Sequence, residues 1–228
     1  MAGLSVVIPT LDEAGRLPLL LADLRRWPGY LEIVVVDGGS RDRTALMARL
    51  AGATVLHAHP PGRGQQLCLG VEHSRGDWLL VLHADSRIPA IWTERVKGVM
   101  AMERSASQAW SFDFRVDERR PMLRLLEWAV RVRSGWMQLP YGDQGLLIHR
   151  QLYEAVGGYR PLSLMEDLDL IERLGKKTLI RSLDCPLVTS ARRWDQKNVL
   201  AQAWRNAMLR RLWRRGATPE QLMKIYRS

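Results

Sequence analysis

The sequence predicts an α/β domain with a parallel-type sheet covered by helices on both faces, and three observations predict it. The apolar, β-branched-rich runs Leu4-Ser5-Val6-Val7-Ile8-Pro9-Thr10, Ile33-Val34-Val35-Val36 and Trp78-Leu79-Leu80-Val81-Leu82 read as buried strands. Helical patterns alternate with them through the first half, the rhythm that right-handed crossovers assemble into one sheet. Each run then delivers acid to the same end: Asp12 and Glu13, Asp37 before Gly38-Gly39-Ser40, and His83-Ala84-Asp85. Ligands of open α/β sheets bind in the crevice beyond the carboxyl ends of the strands. Acidic loops there suggest a metal ion, a sugar or a nucleotide base.

Strand 4–9 precedes a helical pattern over residues 17–24, and strand 31–36 one over 44–50. Strand 54–57 precedes helix 65–72, and strand 78–83 precedes helix 91–102. The rhythm then loosens. Strand 109–116 leads to a helix rich in Arg, Leu and Trp over 121–133, then to the turn-rich Gln138-Leu139-Pro140-Tyr141-Gly142-Asp143-Gln144-Gly145. Strand 146–149, helix 167–174, strand 178–182 and two C-terminal helices complete the order, without an internal repeat, low-complexity tract or linker.

A chain of 228 residues with 46% hydrophobic and 25% charged content can bury a full core. Its apolar stretches are strand-sized, short of the roughly 20 residues of a membrane span. Met1-Ala2-Gly3 runs directly into a strand without the basic segment of a signal peptide. Cys68 and Cys185 lack metal-type spacing and read as buried reduced thiols. These features predict a cytoplasmic protein. The net charge is +10, and residues 186–228 carry ten Lys/Arg against Asp195 and Glu220, so most of the excess lies in the last fifth. That asymmetry predicts an anionic partner such as phosphate, nucleic acid or a lipid surface. Leu200, Trp204, Met208 and Leu212 recur every four residues among Arg205, Arg210, Arg211, Arg214 and Arg215. This amphipathic helix either docks on the domain, closes over the site, or meets an anionic membrane.

The first turn, Pro9-Thr10-Leu11-Asp12-Glu13, lacks the G-x-G-x-x-G of dinucleotide folds, and its carboxylates would repel a pyrophosphate. No P-loop is present. Asp37 can accept from a base N–H or a ribose hydroxyl, or serve as a turn aspartate beside Ser40. Gly62-Arg63-Gly64-Gln65-Gln66 opens a helix, where free N–H groups and a cation favour phosphate, or is a plain turn. Asp85 can hold Mg²⁺ or Mn²⁺ on a diphosphate, or cap a loop. His83 is a borderline ligand suited to Mn²⁺, or a packed histidine. Glu166-Asp167, followed by Asp169, complements a helix dipole, or pairs carboxylates so that one becomes a general base.

Together, residues 6–13, Val36-Asp37-Gly38-Gly39-Ser40-Arg41-Asp42-Arg43-Thr44, Gly76-Asp77 with His83-Ala84-Asp85, and Glu166-Asp167 resemble the family 2 glycosyltransferases over nearly the whole chain. Gly62-Arg63-Gly64 with Gln66, Leu82-His83-Ala84-Asp85-Ser86, Tyr141-Gly142-Asp143-Gln144-Gly145 and Ser190-Ala191-Arg192-Arg193-Trp194 are similar to a small subgroup associated with radical-SAM and selenium-related genes and linked to arsenosugar biosynthesis. The resemblance implies a GT-A fold, a Rossmann-like, mixed and mainly parallel sheet flanked by helices, with C-terminal helices. It implies one domain over 1–228: a nucleotide-binding half at 1–105, an acceptor-binding half at 106–190, and basic helices at 191–228. Pro9, Thr10, Glu13, Asp37, Arg63, Gln66, His83, Ala84 and Asp85 would bind a nucleotide-sugar, with Asp85 holding Mg²⁺ or Mn²⁺. Asp167, with Glu166, would be catalytic, and Gly142, Asp143, Gln144, Arg193 and Trp194 would meet the acceptor.

Three departures from the family pattern stand out: His83 replaces the first acid of D-x-D, Cys68 stands where asparagine is common, and Ser190 replaces the glutamine of the processive Q-x-x-R-W. Processive polysaccharide synthesis is therefore disfavoured. The implied activity is metal-dependent, inverting transfer from a nucleoside-diphosphate sugar, UDP favoured because Asp37 suits a uracil N–H. The acceptor would be a small molecule or lipid-linked, at the inner face of the membrane in the latter case, with nucleic acid disfavoured. A nucleotidyltransferase would need a Gly-rich, Arg-bearing loop after the first strand, which is absent. The rival from another class is a degraded GT-A domain that binds nucleotide-sugar, lipid surface or RNA.

Overall fold

The structure, a computed structural model, describes residues 3–118, 120–190 and 199–227. Eight strands form one sheet in the order β3-β2-β1-β4-β7-β6-β8-β5. The first four are β1 (Leu4–Thr10), β2 (Glu32–Asp37), β3 (Thr54–His57) and β4 (Trp78–Val81), all parallel, with α1 (Leu17–Leu24), α2 (Thr44–Leu50) and α3 (Arg63–Glu72) as crossovers. The second half is mixed: β7 (Leu146–His149) runs antiparallel to β4 and to β6 (Ala109–Val116), while β8 (Ile180–Thr189) is parallel to β6. The remaining helices are α4 (Trp92–Ala101), α5 (Pro121–Trp136), α6 (Arg150–Ala155), α7 (Glu166–Gly175), α8 (Val199–Arg214) and α9 (Pro219–Arg227).

Strand alternation divides the core between two faces. Val6, Ile8, Leu80 and Leu82 pack with Leu17, Leu20, Leu21 and Leu24 of α1 and Trp92 and Val96 of α4. Val7, Leu79 and Val81 point the other way, onto Leu67 and Val71 of α3 and Leu170, Ile171 and Leu174 of α7. Helix α3 sits directly on the sheet: a Cβ on Gly70 would lie 2.5 Å from Val7 Cγ1 and 2.9 Å from Val36 Cγ2.

The elements depart from the sequence pattern where few residues carry a signal. The strand expected over 78–83 leaves the ladder after Val81, and the two-residue β5 (Ser86–Arg87) pairs antiparallel with β8. Helix α6 is six residues long, its N-terminus capped by the His149 ring accepting from Gln151 N–H at 3.3 Å. Strand β8 continues to Thr189 instead of stopping at Ser182, because a register shift opposite Ser111 and Asp113 absorbs Asp184, at φ 48°, and Pro186. Among the described residues, no helix is long and apolar enough to cross a membrane.

Candidate active site

The carboxyl ends of β1 and β2 lie in register, Thr10 opposite Asp37 and Pro9 opposite Val36. Buried Asp37 accepts from the N–H groups of Gly39 at 3.1 Å and Ser40 at 3.0 Å through Oδ2, and His57 Nδ1 stands 3.5 Å away. The Gln66 amide Nε2 donates to Thr10 O at 2.8 Å and Val36 O at 2.7 Å, so Gln66 binds the two strand ends together. The loops beyond them are tied as well: Asp12 Oδ1 accepts from Arg41 N–H at 2.7 Å, and Glu13 N–H donates to Thr44 Oγ1 at 2.8 Å. The Glu13 carboxylate pairs with Arg16 at 3.4 Å.

His83, Ala84 and Asp85 come after β4 and are all buried, with Ser86 N–H donating to His83 O at 3.1 Å to close the turn. His83 Nε2 lies 2.5 Å from Arg63 Nη2. A guanidinium can only donate, so Nε2 is the acceptor and the proton of a neutral ring sits on Nδ1. Arg63, the first residue of α3, is the hub. Its Nε lies 3.0 Å from Glu166 Oε1, and its Nη2 lies 3.6 Å from Asp167 Oδ2. The Nε approach is an ion pair without hydrogen-bond direction, since Nε has no hydrogen-bond partner.

Glu166 and Asp167 open α7 behind Met165, which is left-handed at φ 68°. The carboxylates there meet the positive end of the helix dipole. Asp167 Oδ2 accepts from Gly142 N–H at 2.8 Å and Oδ1 from Leu168 N–H at 2.8 Å. Burial pushes the Glu166 carboxyl upward; the Arg63 cation opposes this and the Asp167 charge reinforces it, leaving the net shift upward. The third acid, Asp169, turns away to Arg173 at 2.6 Å and Arg160 at 3.2 Å.

These groups face a cleft of about 440 Å³ lined by Arg63, His83, Asp143, Glu166 and Asp167, with Leu126, Ala129, Val130 and Arg133 of α5 on one wall and Leu209 and Arg210 of α8 on another. The Tyr141 ring lies between two guanidinium groups, Arg133 at 3.9 Å and Arg210 at 5.1 Å. Sequence patterning missed the stacking of Tyr141 between these two guanidinium groups, because Arg210 comes from a segment far along the chain from Arg133 and Tyr141. Gln144 stands apart from the cleft. It is buried, accepts from Ser134 Oγ at 2.7 Å and Arg133 Nη2 at 3.2 Å, and donates to Phe112 O at 3.1 Å. Arg193 and Trp194 lie outside the described residues.

On α8, Leu209 is buried while Trp204 is exposed, so the buried side is not the stripe of residues 204, 208 and 212. Arg205 donates to Ile225 O and Tyr226 O at 2.7 Å, Arg214 pairs with Glu172 at 2.8 Å, and Arg210 covers Tyr141. Both cysteines are free, and burial pushes the Cys185 thiol up to about 11.

Among the described residues, no group of three His, Cys, Asp or Glu is placed to hold a metal ion. Asp85 offers one carboxylate, and His83 Nε2 is occupied by Arg63. This donor set fits a hard cation that takes one protein carboxylate and completes its shell with a diphosphate and water, the way Mg²⁺ is usually held.

Residues 5–163 match the family model described as Glycosyl transferase family 2. The undecaprenyl-phosphate 4-deoxy-4-formamido-L-arabinose transferase of Pseudomonas paraeruginosa is 31% identical over 173 residues, 67% of this chain and 48% of that protein. A TPR repeat-containing protein of Synechococcus elongatus is 39% identical over 100 residues, 41% of this chain and 23% of that protein. The chain thus spans less than half the length of these curated relatives. Among solved structures, S. aureus TarS 1–349 superposes with a TM-score of 0.63 at 16% identity, covering 83% of this chain and 60% of that one. Glucosyl-3-phosphoglycerate synthase from Mycobacterium tuberculosis, in complex with Mn²⁺, UDP and glucosyl-3-phosphoglycerate, superposes with a TM-score of 0.56 at 24% identity, covering 80% and 70%. Both likenesses concern the fold, which is the GT-A fold.

Proposed function

The chain belongs to glycosyl transferase family 2, and from that premise we propose that it moves a sugar from a nucleoside-diphosphate sugar to an acceptor hydroxyl with inversion at the anomeric carbon. Asp167 carries this reading. Its side chain is 21% exposed on the cleft wall, whereas that of Glu166 is 4% exposed and turned onto Arg63. An acceptor O–H can reach the first carboxylate and not the second. The acceptor proton passes to Asp167 as its oxygen bonds to the anomeric carbon. The bond from that carbon to the diphosphate breaks, and its electron pair leaves with the nucleoside diphosphate. Glu166 positions Arg63, which links the acid pair to the β4 end. Gly142 and Asp143 border the acceptor.

The donor nucleoside would lie at Pro9, Thr10, Glu13 and Asp37, with uracil favoured by an acceptor carboxylate at Asp37. Asp85, beside His83 and Ala84, would hold Mg²⁺ or Mn²⁺, which supplies positive charge to the leaving diphosphate. The Mycobacterium tuberculosis synthase, solved with Mn²⁺ and UDP, supports this choice of ligands. The narrower relation to the arsenosugar-linked subgroup rests on residues 62–66, 82–86, 141–145 and 190–194 and favours a small-molecule acceptor. The arabinose transferase, named for undecaprenyl phosphate, favours a lipid-linked one; this chain would meet such an acceptor at the inner membrane face.

A panel of nucleotide sugars, with soluble and lipid-linked acceptors and Mn²⁺, tests the reading. Transfer or donor hydrolysis is expected, and Asp167→Asn should lower turnover by about 10²-fold or more while keeping donor affinity, as loss of a proton acceptor requires. Glu166→Gln should cost less. Nucleotide binding without turnover on any donor would favour the alternative of a degraded domain that only binds.

A further inference from the structure

Helix α5 divides its circumference among four surroundings. Leu123 and Val130 pack under Phe114 and Val116 of β6. Leu126, Ala129 and Arg133 wall the candidate active site, and Arg124, Arg131, Gly135 and one side of the Trp128 ring wall a second cavity of about 750 Å³. The remaining arc faces outward, and it is apolar. Met122, Leu125, Val132 and Trp136 succeed one another along it with Trp128 at its edge; all five are exposed, Trp128 by 63% and Trp136 by 90%. Isolated apolar residues on a surface are ordinary, but a continuous stripe along a 16-residue helix marks a contact face.

The geometry points to an anionic membrane surface as the occupant of this face, with α5 lying in the interface and the candidate active site opening at the headgroup level. Three features select it. Two of the five residues are tryptophans, whose amphipathic rings settle at the boundary of lipid and water. The one acid on α5, Glu127, is buried against Arg115 and Arg124, so the stripe has no acidic rim of its own. Exposed Arg131 flanks it. The apolar arc also continues past Ala129 and Leu126 to the mouth of the candidate active site. The basic helix α8 is the less suitable element, since Arg205, Arg210 and Arg214 are engaged within the protein.

Co-sedimentation with vesicles decides it, comparing neutral phosphatidylcholine with vesicles about one-third phosphatidylglycerol, at low and moderate salt. The unmodified protein should sediment with the anionic vesicles and be released by salt. Trp136→Ser should weaken partitioning several-fold, and Trp128→Ser with Trp136→Ser by about tenfold or more, as loss of buried aromatic area requires. Trp136 is too exposed for its removal to unfold the domain, so the single variant stands even if the pair melts early. Trp204→Ser should change little. The proposal falls if the unmodified protein ignores anionic vesicles, or if Trp204→Ser abolishes binding that the α5 pair leaves intact. It also falls if sedimentation velocity finds a dimer that the α5 pair dissociates, which would make a second copy the occupant. The contact is independent of the transfer step, so vesicle binding and donor turnover can fail separately.

Discussion

At the scale of single residues, the cleft depends on a position with no side chain. A Cβ on Gly142 would collide with Arg63 Nη2 and would lie 2.8 Å from Asp167 Oδ2 and 3.0 Å from His83 Nε2. Those three atoms already hold one another through Arg63, so none can yield without moving the others. Gly142→Ala is therefore expected to displace Arg63 or Asp167. Misplacement of a reacting group by about 1 Å costs on the order of 10²-fold in rate. Turnover should fall by that order while the melting temperature changes by a few degrees at most, because the clash lies at the rim of the core. Turnover within threefold of the unmodified protein would mean that Arg63 and Asp167 do not need this arrangement.

At the scale of elements, α5 is held by one buried carboxylate. Glu127 accepts from Val116 N–H at 2.9 Å, Arg124 at 2.6 Å and Arg115 at 2.9 Å, so it fastens the helix to β6. Burial pushes its carboxyl up, but the Val116 N–H and the two guanidinium groups outweigh this and hold it below its ordinary value. A lowered folded value gives stability that is complete above the unfolded value near 4.5 and is lost as pH falls through the folded one. Glu127→Gln should cost about 2 kcal/mol at pH 7, for a buried charge-assisted bond lost, or roughly 4–8 °C in melting temperature. The difference should shrink as pH falls below 4.5 and through the lowered folded value, where the native carboxyl itself takes up a proton; a difference that stays equal from pH 7 into acid beyond that value would contradict the assignment. The helix was legible in the sequence because sixteen residues carry a pattern. Strand β5, with two residues, is set by its pairing with β8, α6, with six, is started by the His149 cap at the end of β7, and β8 outruns its sequence signal because a bulge admits Pro186.

At the scale of the whole molecule, the sequence revealed the end of the sheet that gathers acid, since strand periodicity fixes where each run stops and so which carboxylates stand just beyond it. It also revealed Arg63, His83, Glu166 and Asp167, which converge on one cleft. It could not reveal that Gln66 and Gln144 spend their amides on the protein itself, nor that Tyr141 lies between Arg133 and Arg210, because those contacts depend on how separate segments meet. The two halves of the proposed donor site are likewise separate, Asp37 on β2 and Asp85 beyond β4, joined through β1. A ligand spanning them binds only the folded chain and must raise its stability by mass action. At about 100 times its dissociation constant the gain is about 2.7 kcal/mol, which for a domain of this size is roughly 5–11 °C in melting temperature. A nucleoside diphosphate with Mn²⁺ is expected to produce that shift, and the same nucleotide at the same concentration without metal a smaller one. Asp85→Asn, a change of nearly equal size in the turn after β4, should melt near the unmodified protein when free of ligand and should lose only the metal-dependent increment. Identical shifts with and without Mn²⁺ would remove the metal from the site. A full metal-dependent shift in Asp85→Asn would move the metal to another carboxylate.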